Sequence, residues 1–377
     1  MNKIIVIPDS FKGSLGTVEI CNIAEKSIKK FFPQCEVVKI PVADGGEGTV
    51  QCFYEALGGE KIKVNVKGPW KENIVAEYVK KDSVAIIEMA SCAGLPLVDG
   101  RLNPSLTTTY GVGEVIIDAI NRGSTNIILG LGGSCTNDGG CGCAAALGVS
   151  FKDENLNEFI PVGATLSKIK YIDISKAHNL LKGCNITVMC DIENPMYGQN
   201  GAAYIYGPQK GADKEMVVFL DEQLRELDKV MKSELKMESI ADHPGTGAAG
   251  AMGAGMMAFL GAELKSGIET VLDIVNFDEK LNNTDLIITG EGKIDSQSLK
   301  GKVVIGISKR ALKKRIPVIA IVGDVGDDSY EAYNLGVSAI FSINRLAIPF
   351  SEARVRSRID YTNTLEDVLR LLSIKNI

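Results

Sequence analysis

The chain has 377 residues, of which 45% are hydrophobic and 23% are charged; this is typical of a globular protein large enough for two domains. Its net charge of −6 argues against nucleic acid as a partner, because binding a phosphate backbone requires a basic surface. No segment approaches the roughly 20 apolar residues of a membrane span, and the N-terminus has no signal-peptide pattern. Several of the nine cysteines lie in apolar segments, which predicts reduced thiols in a cytoplasmic protein. Without an apolar span, no membrane partner is expected.

The N-terminal part alternates between strand and helix, and this predicts parallel βα units: strand 3–7, helix 16–31, strand 35–41 and a helix ending at Leu57. Three β-rich runs then follow without a helix between them, which is typical of an antiparallel meander: 61–66, 74–80 and 84–89.

After the meander the pattern predicts helix 110–121, a strand from Asn126, helix 141–147, an irregular stretch 150–185, strand 186–190 and helix 214–237. The βα alternation returns at Asp285: strand 286–289, helix 303–314, strand 318–322, helix 328–335, strand 338–343 and helix 360–372. We therefore expect an α/β protein whose doubly wound parallel-sheet domain combines residues 1–65 and 285–377. Residues 66–284 are expected to form an inserted second α/β domain.

The segment Gly130–Gly140 follows an apolar strand and consists almost entirely of Gly, Ser, Thr, Asn and Asp. Such glycines allow close backbone approach to a ligand, and the helix that follows offers unpaired N–H groups to an anion. The segment predicts a site for a phosphorylated or carboxylated small molecule.

Two further glycine-rich segments follow predicted strands, where open α/β sheets bind ligands. In Asp9-Ser-Phe-Lys-Gly-Ser14, Lys12 would neutralise a phosphate or carboxylate, and flanking hydroxyls such as that of Ser10 would orient it. A simple capped helix start is the alternative. In Asp44-Gly-Gly-Glu-Gly-Thr49, Asp44 would orient a substrate hydroxyl or accept its proton, and Glu47 would hold a metal.

Charged residues also follow the later strands. Asp191 and Lys210 are natural partners for a metal–phosphate group, although a salt bridge between domains explains them nearly as well. The segment 243–255 is a Gly/Ala-rich helix start that serves either a phosphate or close helix packing. In 289–297, Glu291, Lys293 and Asp295 alternate and are expected to line a cleft; the spacing is not that of a Walker A loop.

Carboxylates for Mg²⁺, lysines for phosphates and glycine-rich loops are the components that phosphoryl transfer requires. We expect these loops to meet in one interdomain cleft.

Five of these blocks, in order and at similar spacing, resemble the signatures of the type 1 glycerate kinases: residues 9–14, 41–49, 132–140, 207–212 and 289–295. The resemblance extends over essentially the whole chain. It implies ATP-dependent phosphorylation of D-glycerate with Mg²⁺, and a discontinuous flavodoxin-like domain with an inserted α/β domain. Cys135 stands where Ala is expected, and Gly250-Ala-Met252 replaces a Gly-Gly pair.

Within this framework we hypothesise that the glycerate carboxylate contacts Lys12 and the loop 132–140. Asp44 or Asp191 would accept the hydroxyl proton, and the other would share Mg²⁺ with Asp138 or Glu291. The predicted residues are catalytic Lys12, Asp44 and Asp191, substrate-binding Ser10, Ser134, Asn137 and Asp138, nucleotide- or phosphate-binding Lys210, Gly290, Glu291, Gly292, Lys293 and Asp295, and metal-binding Asp138, Asp191 and Glu291.

Two other functions compete with a kinase. A serine hydrolase of the SGNH type would use Ser10 as nucleophile, but such an enzyme needs a histidine near the C-terminus and none follows His243. A nucleotide-binding regulatory protein without turnover is the second. The residues do not decide whether the 2- or the 3-hydroxyl is phosphorylated; the resemblance favours the 2-hydroxyl, because bacterial members of the family are often so described. Whether the protein is a monomer or a homodimer is left open.

Overall fold

A computed structural model describes residues 1–11, 13–43, 45, 46 and 48–374. The strands, in chain order, are β1 (Lys3–Pro8), β2 (Glu36–Lys39), β3 (Glu60–Lys67), β4 (Asn73–Lys81), β5 (Val84–Glu88), β6 (Asn126–Gly130), β7 (Ser150–Lys152), β8 (Tyr171–Asp173), β9 (Asn185–Met189), β10 (Glu263–Lys265), β11 (Leu286–Gly290), β12 (Lys293–Ile294), β13 (Val318–Val322), β14 (Asp324–Val325) and β15 (Ala339–Ser342).

The α-helices are α1 (Thr17–Phe31), α2 (Thr49–Leu57), α3 (Ala90–Ala93), α4 (Tyr110–Asn121), α5 (Cys141–Ala146), α6 (Ser175–Leu180), α7 (Ala202–Tyr206), α8 (Lys214–Leu235), α9 (Ala248–Leu260), α10 (Gly267–Ile274), α11 (Phe277–Lys280), α12 (Val303–Lys313), α13 (Glu331–Asn334) and α14 (Phe350–Ser373). Short 3₁₀ turns occupy Leu95–Val98, Gly163–Lys168, Pro208–Lys210, Ser298–Lys300 and Asp327–Tyr330.

The chain forms two compact units. The first comprises residues 1–43, 51–58 and 266–377, and the second comprises 44–50 and 59–265. These limits differ from the predicted division at 65 and 284: β3 falls wholly within the second unit, and α10 and α11 belong to the first.

The first unit contains a parallel sheet in the order β2-β1-β11-β13-β15. Counted along the chain this order is 2-1-3-4-5, that of a flavodoxin-like doubly wound sheet, so the predicted fold class is confirmed. β11 and β13 are buried along their entire length because helices cover both faces of the sheet. Ile288 and Ile321 pack with residues of α1 and α14, whereas Val322 packs with residues of α12 and α13.

The second unit contains a mixed sheet in the order β10-β9-β6-β5-β4-β3. β3, β4 and β5 form the predicted antiparallel meander, and β5, β6, β9 and β10 run parallel. The stretch 150–185, predicted to be irregular, contains the β7–β8 hairpin and α6. These elements span three to six residues each, too few to show a period.

The last helix also differs from its prediction. α14 begins at Phe350, after Pro349, rather than at residue 360. Its first turns expose Phe350 and Val355, so no apolar stripe marks them as helical in the sequence.

Candidate functional site

In the second unit, the glycine-rich loop that follows β6 lies against the segment that contains Gly45 and Gly46. The Gly132 N–H donates to the Gly45 carbonyl oxygen at 3.0 Å. A Cβ on Gly132 would lie 2.4 Å from the Gly46 Cα, so only glycine permits this approach. Two glycine-rich segments, each predicted from the sequence to bind a ligand, are therefore neighbours.

Asp138 is fully buried within this loop and is bound on both carboxylate oxygens. Its Oδ2 accepts hydrogen bonds from the N–H and the hydroxyl of Thr109, both at 2.8 Å, and from the Gly142 N–H at 3.3 Å. Its Oδ1 accepts from the Gly140 N–H at 3.1 Å. Burial raises the pKa of Asp138, while these hydrogen bonds oppose the rise.

These partners differ from those predicted for Asp138, which were substrate and metal. A carboxylate that is fully buried and accepts four hydrogen bonds from its own unit is suited to holding the loop against α4 and α5. The predicted contacts of Asp138 with substrate and metal stay predictions beside this structural role.

Lys210 lies in the 3₁₀ turn Pro208–Lys210 and is only 2% exposed. Its ammonium donates to the Ser134 hydroxyl oxygen at 2.8 Å and to the Thr136 carbonyl oxygen at 2.7 Å. Burial lowers the pKa of Lys210 to about 8. Both contacts are with the loop after β6 in the same unit, and the predicted contact of Lys210 with phosphate stays a prediction.

Asn137 is the residue of the loop whose environment indicates a ligand. Its side chain is fully buried, and among the described residues neither its Nδ2 nor its Oδ1 has a hydrogen-bond partner. A buried amide without partners costs about 1–3 kcal/mol, so such a group in a native protein requires an explanation. A bound substrate that accepts from Nδ2 and donates to Oδ1 provides one.

The Gly/Ala-rich segment 243–255 packs closely against the same loop. Ala249, Gly250 and Ala251 all adopt left-handed backbone angles at the start of α9. The Gly139 N–H donates to the Gly250 carbonyl oxygen at 3.1 Å. The segment was predicted to serve either a phosphate or close helix packing, and the described contacts are those of close packing.

Asp191 lies two residues beyond the end of β9 and is exposed. The turn that follows is tied internally, because the Asn194 Nδ2 donates to the Asn200 carbonyl oxygen at 2.8 Å and the Tyr206 hydroxyl donates to the Asn194 Oδ1 at 2.7 Å. An exposed carboxylate on an ordered turn is accessible to a substrate.

In the first unit, the segments after β1 and β11 meet at the point where the strand order reverses, where doubly wound sheets bind ligands. The Asp9 N–H donates to the Gly290 carbonyl oxygen at 2.8 Å. Ser10 is half-buried, and its N–H donates to the Asp9 Oδ1 at 2.6 Å.

Glu291 is 5% exposed, and within the described ranges its Oε1 has no hydrogen-bond partner. Burial and the negative charge of Asp9 raise the pKa of Glu291 to about 7. Sequence reasoning included Asp9 in a motif but assigned it no role; its position directly after the first strand was the available signal.

The remaining predicted residues of this segment lie nearer the surface. Lys293 is exposed and forms an ion pair with Asp324 at 3.2 Å. Asp295 Oδ1 accepts from the Gln297 N–H at 2.9 Å. The Gly292 carbonyl oxygen accepts from the N–H of Asp324, the first residue of β14, at 3.1 Å.

Lys12, Asp44 and Glu47 lie outside the described residues. Among those that are described, no group of three or more His, Cys, Asp or Glu side chains is placed to hold a metal ion. Mg²⁺ requires only one or two protein carboxylates and oxygen ligands, so the Glu291 Oε1, which no described residue contacts by a hydrogen bond, fits such an ion together with neighbouring Asp9.

No helix in the described part of the chain is both long enough and apolar enough to cross a membrane.

Comparisons with known proteins find similarity along nearly the whole length of the chain. The sequence profile of the glycerate kinase family matches residues 4–373. A protein named glycerate 2-kinase from Escherichia coli (strain K12) is 46% identical over 344 residues, covering 90% of each chain. A glycerate kinase from Bacillus cereus (strain ATCC 10987 / NRS 248) is 44% identical over 354 residues, covering 93% of each. The crystal structure of a protein assigned as glycerate kinase 2 from Salmonella typhimurium LT2 superimposes with a TM-score of 0.86 at 38% identity, covering 98% of each chain.

Proposed function

This chain belongs to the glycerate kinase family and is a kinase, and from that premise we propose that it transfers the γ-phosphoryl group of ATP to the 2-hydroxyl of D-glycerate. The choice of the 2-hydroxyl is supported by the Escherichia coli relative, whose name specifies that position. The observation that carries the assignment to a site is the buried amide of Asn137 in the loop after β6, which has no hydrogen-bond partner among the described residues.

Glycerate recognition is assigned to the second unit. The Asn137 Nδ2 would donate to the glycerate carboxylate, and its Oδ1 would accept from a hydroxyl of the same molecule. Ser134, 6% exposed on the same loop, would donate a further hydrogen bond. These contacts fit a small hydroxy acid because it offers acceptors and donors within a few ångströms of each other.

Binding of Mg²⁺ and phosphate is assigned to the first unit. Glu291 and Asp9 would hold Mg²⁺, which offsets the negative charge on the transferred phosphoryl group. Exposed Lys293 and the backbone of Gly290, Gly292 and Asp295 would contact the phosphates at the ends of β11 and β13.

The hydroxyl of glycerate must lose its proton as the new P–O bond forms, so a carboxylate base is required. Asp191 and Asp44 are the candidates, and Lys12 would neutralise the glycerate carboxylate. Of these three residues, Asp191 is the one that the structure describes, and its side chain is exposed beyond the end of β9.

The primary experiment couples ADP release to glycerate consumption and identifies the product by phosphorus NMR. We expect stoichiometric ADP and 2-phosphoglycerate. A hydrolase acting through Ser10, which none of the comparisons supports, would release no ADP, and a regulatory protein would show no turnover. Formation of 3-phosphoglycerate would refute the regiochemistry alone.

The base is tested with Asp191→Asn and Asp44→Asn, each expected to lower kcat by about two orders of magnitude or more. Asp82→Asn serves as the control because its side chain is 82% exposed on the turn between β4 and β5. Normal turnover in both variants would refute these assignments.

The Mg²⁺ ligands are tested by calorimetry, which does not depend on turnover. Glu291→Gln is expected to weaken binding of Mg²⁺ in the presence of ADP by about tenfold or more, whereas exposed Glu279→Gln is expected to leave it unchanged. Unchanged Mg²⁺ affinity in Glu291→Gln would remove Glu291 from the site.

A further inference from the structure

The ammonium of Lys210 is buried without an ion pair among the described residues: burial lowers the pKa of Lys210 and outweighs the thiol of Cys135 and the charge of Asp138, which act to raise it. The ammonium donates to two neutral oxygens, the Ser134 hydroxyl and the Thr136 carbonyl. Burying a charge in this way is costly, and an uncharged side chain that fills the same volume avoids that cost. The charge therefore requires a function beyond packing.

Holding the loop backbone does not supply that function, because other groups already hold it. The Leu95 N–H donates to the Gly133 carbonyl oxygen at 2.9 Å, and the Cys135 N–H donates to the Ala93 carbonyl oxygen at 2.9 Å. The Thr107 hydroxyl donates to the Cys135 carbonyl oxygen at 2.9 Å. Asp138 anchors the end of the loop through its four hydrogen bonds, as described above.

The contact with Ser134 has a chemical consequence. A hydroxyl has one hydrogen to donate, and when its oxygen accepts from an ammonium that hydrogen points away from the lysine. The hydroxyl also becomes a stronger donor, because hydrogen bonds in a chain polarise one another. Among the described residues none accepts a hydrogen bond from the Ser134 hydroxyl, so its hydrogen is available to a ligand.

The second contact acts on the neighbour of Asn137. The Thr136 carbonyl oxygen accepts from Lys210, and Gly250 packs so closely against the same oxygen that a Cβ would lie 2.1 Å from it. This leaves the peptide that precedes Asn137 little room to rotate. The unpartnered amide of Asn137 is therefore presented in a defined position.

We propose that Lys210 is a positioning residue for glycerate: through Ser134 and Thr136 it directs the Ser134 hydroxyl hydrogen and the Asn137 amide toward the carboxylate of the substrate. The positive charge favours an anionic ligand at the loop without touching it. The inference rests on the proposed function, since it requires that the loop binds glycerate.

The test is a double-mutant cycle of Lys210→Met, Ser134→Ala and the two combined, with kcat and KM measured for both substrates. Each single variant is expected to raise KM for glycerate by about tenfold or more, and to leave KM for ATP within about twofold. Because Lys210 acts through Ser134, the combined variant is expected to be within about twofold of Lys210→Met.

Lys214→Met is the matched control, since Lys214 is exposed four residues further along, at the start of α8. Its constants are expected to equal those of the wild type. Thermal unfolding of every variant shows whether it is folded, and if Lys210→Met does not fold, Lys210→Gln, which removes the charge but keeps a polar side chain, takes its place in the cycle.

Three results would overturn the proposal: an unchanged KM for glycerate in Ser134→Ala, a combined effect equal to the product of the single effects, or a rise in KM for ATP instead of glycerate. If the wild type forms no ADP with glycerate, the proposed function and this inference fail together. If the wild type is active and the variants give any of these three results, only the inference fails.

Discussion

Gly250 packs so closely against Thr136 that a Cβ at position 250 would lie 2.1 Å from the Thr136 carbonyl oxygen. The same oxygen accepts a hydrogen bond from Lys210 at 2.7 Å. The left-handed start of α9 and the buried lysine therefore act on one peptide, the one that precedes Asn137. Four predictions test this arrangement and the structure around it.

Gly250→Ala is expected to destabilise the protein through both its backbone angle and the overlap with Thr136. Gly261→Ala is the matched control, because Gly261 has φ +65° against +68° for Gly250 but nothing within 4 Å of its added Cβ. We expect Gly261→Ala to cost about 1 kcal/mol of unfolding free energy and Gly250→Ala about 2 kcal/mol more. Urea denaturation measures both values. Equal losses of unfolding free energy in the two variants would show that the loop moves to accommodate the added Cβ.

Asp138→Asn tests whether Asp138 holds the loop or binds metal. The amide nitrogen replaces one of two carboxylate oxygens that accept hydrogen bonds, so we expect a loss of roughly 2–4 kcal/mol in unfolding free energy. The exposed control Asp82→Asn should change it by less than about 0.5 kcal/mol. A normal unfolding midpoint combined with weakened Mg²⁺ binding would support the metal role instead.

The pH dependence of stability is expected to reflect Lys210. Burial lowers its pKa from 10.5 to about 8, so between these pH values the unfolded chain binds a proton that the folded protein does not. The unfolding free energy of the wild type should therefore rise relative to Lys210→Met by about 3 kcal/mol as the pH increases from 7 to 10.5. Denaturation at a series of pH values measures this difference, and parallel profiles would show that Lys210 titrates normally.

The cysteines are expected to be inert in the native protein. The nine thiols are free, and only Cys184 and Cys190 are partly exposed. Burial raises the pKa of Cys21, Cys92 and Cys135 to about 12, and that of Cys190 to about 11, so thiolate is scarce at neutral pH. A disulfide reagent at pH 8 should modify at most Cys184 and Cys190, and all nine after denaturation. Rapid modification of Cys135 in the folded protein would contradict the packing described for the loop.

Local patterns predicted much of the fold because the relevant signals are short in range. The apolar runs of β1, β11 and β13 and the limits of α4 agree with the periodicity of the sequence. The start of α14 was missed because its exposed first turns lack an apolar stripe. Short elements such as β7 and α6 were missed because three to six residues do not establish a period.

In the candidate site, too, local patterns identified the segments but not the roles of their residues. The glycine-rich, acidic composition of the loop with Asn137 and of the segment with Glu291, each directly after a strand, predicted ligand-binding segments. The roles within them depended on partners distant in the chain: Asp138 is bound by Thr109, and Lys210 by Ser134, 76 residues away. Charge alone does not distinguish a carboxylate that faces a ligand from one that is saturated by its own backbone.

The sequence by itself determined the family, the alternation of strands and helices and the segments that carry chemistry, because these follow from residue types and their spacing. Only the tertiary structure decided which polar groups are satisfied internally and which remain available. That distinction depends on burial and on hydrogen bonds between residues far apart in the chain, and these exist only once the chain has folded. Asp138 and Asn137 are adjacent in the sequence, yet one is fully bound and the other lacks a partner among the described residues.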